Sequence, residues 1–106
     1  MNKIFCLFDD DLHEFESLNK GFRNDIILKI NDLYYKLNIY DNVRLNQDFE
    51  LESKQYGYFQ IEPNLIIVKE VNKKEIRNTI EKLIEQDYFS DLKPIDYIDL
   101  ETLKEF

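Results

Sequence analysis

A chain of 106 residues with 43% hydrophobic side chains is long enough for one domain with a true core, residues 1–106, and too apolar for a disordered segment despite 34% charge. Its formal net charge of −8 repels nucleic acid and anionic lipid and attracts cationic partners within roughly a Debye length. No apolar run approaches the ~20 residues of a bilayer span. The start MNKIFCLFDDD also lacks the apolar length and cleavage site of a signal peptide, so a soluble cytoplasmic protein is expected.

Alanine is absent while Asn, Lys, Ile and Tyr abound. Such a skew is what an AT-rich genome produces, so abundance of Asn or Lys carries no functional weight. NKIFCLF, residues 2–8, is apolar on both faces and predicts a central strand. Residues 9–24 read as polar and irregular, with Leu12, Phe15 and Leu18 at spacings a short helical turn could use. DIILKI and LYYKLNIY then alternate with period two on either side of Asn31-Asp32, which predicts a β-hairpin with one buried face.

Residues 41–55 predict a short surface helix capped by Asp41 or Asn42, with Leu45 and Phe49 on one stripe and Gly57 ending it. Glu62-Pro63 breaks the chain, and NLIIVKEV predicts an interior strand because Leu65, Ile66, Ile67 and Val68 are unbroken. Asn72 with Glu75 three residues on marks a helix start, and Ile76, Ile80, Leu83 and Ile84 form its apolar stripe. FSDLKPI is expected to end in a short edge strand, since Pro94 cannot donate to a ladder. IDLETLKEF is expected to form a terminal helix anchored by Ile98, Leu100 and Leu103. The fold class is α+β: a small, mainly antiparallel sheet containing a β-hairpin, packed by two or three helices.

The stretch FDDDLHEFE holds the only histidine and five carboxylates. Its acids are consecutive, so their side chains diverge instead of converging on a cation. An EF-hand loop fails because Glu14 stands where glycine is required and Lys20 where the bidentate acid is required. Zinc needs more nitrogen or sulfur ligands than His13 and Cys6 supply. Cys6, the lone cysteine, lies in an apolar run that suits a packed core thiol better than a nucleophile. Two glycines cannot build a phosphate-cradling loop. No enzyme, cofactor, metal or small-molecule substrate is expected.

The acids Asp9, Asp10, Asp11 and Glu14, and Asp48, Glu50 and Glu52, are instead candidates for binding a cationic protein. Tyr40, Tyr56 and Tyr58 would be aromatic anchors, since such rings bring large contact area at small entropic cost. The competing reading of the tyrosines is packing beneath a helix.

YKLNIYDNVRLNQDFELES, then YFQIEPNLIIVKEV, then a capped helix ending in Tyr88-Phe89 resembles the small cytoplasmic immunity proteins of bacterial contact-dependent growth inhibition and other polymorphic toxin systems. In some of these a strand ending in Tyr-Asp leads into an Arg-Leu-x-Gln segment, a Pro-Asn-Leu-Ile-Ile-Val-like strand and a final helix. The resemblance implies a non-enzymatic protein that binds one cognate toxin domain, often a basic nuclease, and blocks it. No contact residue transfers from it. An acidic adaptor or regulatory inhibitor, phage-encoded and directed at a host protein, is the alternative.

Overall fold

The computed structural model describes residues 2–61 and 63–106; Glu62, half of the expected Glu62-Pro63 break, lies outside the described residues. Among them the hairpin organises the fold. Strands β2 (Phe22–Ile30) and β3 (Leu33–Tyr40) pair with Ile30 opposite Leu33 across Asn31-Asp32. Asn31 takes a left-handed φ of +56°, which Asn tolerates better than most side chains. Ile26, Leu28, Tyr35, Leu37 and Ile39 are buried, as the alternation requires.

Strand β1 (Asn2–Cys6) pairs antiparallel with β2, and a short β5 (Lys104–Glu105) pairs antiparallel with β1. Strand β4 (Leu65–Ile67) lies parallel to β3, giving the order β4-β3-β2-β1-β5. A parallel neighbour needs a crossover, and helix α2 (Asn42–Tyr56) supplies it. The protein is therefore α+β with a mostly antiparallel five-stranded sheet.

Helix α3 (Lys73–Glu85) begins where expected: the Asn72 side chain accepts from the Glu75 main-chain N–H at 2.8 Å. Ile76 and Ile80 are fully buried in one cluster with Ile4, Cys6, Ile26, Leu28, Leu37 and Phe89. Each such side chain stabilises the fold by about 1.5–3 kcal/mol through removal of apolar area from water. The Cys6 thiol is wholly inside this cluster, and burial pushes its pKa up, so it packs as a small hydrophobe.

Local expectations fail in five places. Residues 9–24 are not irregular: Asp11–Lys20 form helix α1, started by Asp10 and ended by Gly21 in the left-handed region. Strand β1 stops at Cys6 because the Asp25 carboxylate, not a neighbouring strand, accepts from the Leu7 and Phe8 N–H groups at 3.2 and 3.1 Å. Strand β4 is an edge strand, with Ile67 exposed. After α3 the chain makes a 3-10 turn at Tyr88–Asp91, and Ile95 gives the edge of β3 a single bond, to Tyr34 O at 2.8 Å, in place of a strand. The expected terminal helix is a 3-10 turn at Leu100–Thr102 followed by β5. Pairing with β1 and burial of the Phe106 ring override the helical spacing there.

One irregularity shapes the site. Ile26 opposes Leu37 but Arg23 opposes Ile39, so Asn24 and Asp25 share the place opposite Asn38 in a β-bulge. The extra residue turns Arg23 onto the same face as Ile39, inside the protein.

Candidate functional site

The acids of FDDDLHEFE are placed by separate partners. Asp10 caps α1, its Oδ1 accepting from the His13 main-chain N–H at 2.8 Å while its Oδ2 lies 2.6 Å from His13 Nδ1. The backbone bond first, then the ring, hold the Asp10 carboxyl below its usual range. The His13 ring stacks on Phe8 with centroids 4.4 Å apart. Asp9 pairs with Lys73 at 3.3 Å, and Asp11 is exposed in the first turn of α1. Glu14 turns inward: its Oε2 accepts from Arg23 Nη1 at 3.0 Å and its Oε1 from the Lys73 main-chain N–H at 2.7 Å. It thereby fills an orphan donor at the positive end of α3. Among the described residues no three His, Cys, Asp or Glu groups are placed to hold a metal ion.

Sequence reasoning missed the residues that anchor this arrangement. Arg23 and Asp25 are only 6% and 4% exposed. Arg23 Nε donates to Asp25 Oδ1 at 2.6 Å, and its Nη2 donates to Phe8 O at 2.6 Å and to Asp25 Oδ2 at 3.1 Å. Burial alone would lower the Arg23 pKa, but the bond to Asp25 and its charge raise it above the ordinary value. The Phe106 ring lies against three cations, with Arg23, Lys73 and Arg77 at 5.3, 5.2 and 5.5 Å from its centroid. The one available signal was an Arg-x-Asp pair entering an apolar strand, since side chains at i and i+2 share a face and can pair there.

The second acidic group is split. On a 3.6-residue helix Glu52 lies about 40° from Asp48, but Glu50 lies about 200° away. Asp48 is held by Arg44 Nε at 3.0 Å, Glu52 is half-buried and Glu50 is exposed, so the three do not form one patch. Tyr40 is 4% exposed, its ring 4.7 Å from Phe22, because the sheet face opposite α3 is covered there. It is a packing ring and not a surface anchor. Tyr56 and Tyr58 are both exposed and adjacent, with centroids 6.5 Å apart across the left-handed Gly57. Phe49 meets Phe59 at 6.0 Å, which folds the segment after α2 back onto the helix.

The largest departure from expectation is the orientation of the two helices. Neither α1 nor α2 has a buried residue. On α1, Leu12, Phe15 and Leu18 are 63%, 62% and 41% exposed, whereas His13, Glu14, Glu16 and Ser17 are half-buried. A surface helix ordinarily buries its apolar stripe; α1 meets the body through its polar side. Its partners there are Glu14 on Arg23 and a cleft of ≈ 190 Å³ lined by His13, Glu16 and Ser17 with Phe8, Phe22 and Arg23. On α2, Val43, Phe49, Leu51 and Tyr56 are likewise exposed.

The two helices meet at one joint. Asp41 caps α2 by accepting from the Arg44 N–H at 2.8 Å, its own N–H donates to Gly21 O at 2.9 Å, and Arg44 Nη1 donates to Lys20 O at 3.3 Å. Arg44 also lies 5.3 Å over the Phe22 ring. The arrangement offers apolar and aromatic area beside acids, on helices fixed to the sheet by polar contacts. No known protein family, curated protein or solved structure matches the chain.

Proposed function

We propose that the protein is an immunity protein that acts in the cytoplasm, binding a cognate toxin domain, a basic nuclease, and neutralising it by tight non-catalytic association. The observation that carries this reading is the outward display of apolar side chains on α1 and α2 within a chain of net charge −8. Contiguous exposed apolar area on a small protein marks an interaction surface. Acids around it steer a cationic partner and raise the association rate, while buried apolar and aromatic side chains slow dissociation. The Tyr56–Tyr58 pair is suited to the second role. Nucleases carry basic surfaces because they bind phosphate backbones, so an acidic inhibitor can occupy the same ground.

The experiment is co-expression. The chain should restore growth to cells producing the toxin domain encoded immediately upstream of it and should co-purify with that domain at one-to-one stoichiometry. Growth arrest despite a folded, abundant chain would reject the reading, and co-purification with a host protein instead would favour the adaptor.

A further inference from the structure

We propose that α1 is the element that enters the partner, seating Leu12, Phe15 and Leu18 in an apolar groove whose rim carries Lys and Arg; the proposal rests on the immunity reading and locates its contact. Three observations lead to it. First, the helix is held in place without burying its apolar stripe. Asp10 caps its start, Gly21 ends it, and Glu14 fastens it to Arg23 and to the first turn of α3, yet none of its residues is buried. Most short helices in proteins owe their stability to a buried apolar face; here the polar contacts leave that face unused.

Second, the stripe has the form of a docking helix. Residues at i, i+3 and i+6 span about 120° of the circumference, with His13 and Ser17 on the far side. One narrow apolar face of this kind is what an amphipathic helix lays into a groove, although the full i, i+3, i+4, i+7 set is not present. Third, charge selects the occupant. Asp11 lies within the outward face, Asp9 and Asp10 are exposed at its start, and Glu16 stands on its flank. A second copy of the chain would bring this acidic end and a net charge of −8 against itself. An anionic membrane would meet the same repulsion. A protein groove with a cationic rim pairs both the stripe and the acids.

The test uses the full chain and the catalytically inactivated toxin domain encoded upstream. Leu12→Ser, Phe15→Ser and Leu18→Ser are combined in one variant. Because these side chains are exposed, the variant is expected to stay folded, with its melting temperature less than about 10 °C below the parent's. Affinity should fall at least tenfold, which is about 1.4 kcal/mol, and mainly through faster dissociation. In the parent complex, hydrogen exchange should slow over residues 11–20, a readout that needs no variant. A complex that forms with α1 unprotected, or with the triple variant binding as the parent does, overturns this proposal and leaves the immunity reading standing. No complex with the parent chain rejects both. Self-association in solution abolished by the triple variant, or co-sedimentation of the parent with phosphatidylglycerol–phosphatidylcholine vesicles, would also overturn it.

Discussion

Replacing Gly21 by alanine tests the joint between α1 and α2. Gly21 has φ of +68°, and a Cβ built there would lie 2.5 Å from both carboxylate oxygens of Asp41. Two costs follow. A non-glycine residue in the left-handed region loses about 1–2 kcal/mol. The Asp41 carboxylate must also move, and it is tethered by the capping bond to the Arg44 N–H, 2.8 Å long, so the α2 cap is lost at about 0.5–2 kcal/mol. The reduced entropy of the unfolded chain returns about 0.4–1 kcal/mol, which leaves a net destabilisation of about 1–3 kcal/mol. Gly57→Ala is the internal control, because Gly57 has φ of +83° but nothing within 4 Å of an added Cβ. Urea denaturation of both variants measures the difference, which should be about 1 kcal/mol or more in favour of the Gly57 variant. In an Asp41→Ala background the Gly21 substitution should cost no more than Gly57→Ala. Equal destabilisation by the two single substitutions would refute the joint as described.

Removing Arg23 (Arg23→Met) strands the buried Asp25 carboxylate and should cost about 3–5 kcal/mol in urea denaturation; a loss under 1 kcal/mol would mean that water reaches the pair. The acid arm of the stability profile reports on Asp10. Its folded pKa lies below the ordinary 3.8 of an aspartate, so its contribution is present above that value and is lost as pH falls through the folded pKa. Asp10→Asn keeps a competent cap and should flatten the fall of melting temperature with acidification below about pH 4 relative to the parent; parallel curves would contradict the assignment. Tyrosines should separate by role. Tyr40→Ala, at a ring 4% exposed, should destabilise by about 3 kcal/mol or more. Tyr56→Ser with Tyr58→Ser should leave the melting temperature unchanged and weaken toxin-domain binding, as measured by calorimetry.

The hairpin was legible because Ile26, Leu28 and Ile30 and then Leu33, Tyr35, Leu37 and Ile39 hold period two through a two-residue turn, a pattern no helix satisfies. Helix α3 was legible for the matching reason: its stripe and its Asn72 cap agree. Helix α1 was hidden although Asp10 and Gly21 bracket it, because periodicity reports a face and not which way the face points. Once Glu14 finds Arg23 across sequence, the polar side is fixed inward. The Arg-x-Asp spacing allows Arg23 and Asp25 to pair, but the bulge at Asn24 and Asp25 that turns them inward has no local sequence mark. Tyr40 reads in the sequence as an anchor or a packed ring, and the cross-strand contact with Phe22 that buries it has no local signal. The LETLKEF spacing suited a helix until the free edge of β1 captured Lys104 and Glu105. Of the candidate site, Tyr56 and Tyr58 lie together on the surface, Asp9 and Asp11 are exposed, and Glu14 and Tyr40 are structural.

Isothermal titration of the full chain with the inactivated upstream toxin domain, repeated at rising ionic strength, addresses the central claim most directly. Non-catalytic capture through the acidic, apolar surface of α1 and α2 predicts one-to-one binding with sub-micromolar Kd, weakening as salt screens the charges. No binding heat from the folded chain at any salt, or an affinity indifferent to both ionic strength and the Leu12, Phe15 and Leu18 substitutions, would contradict it.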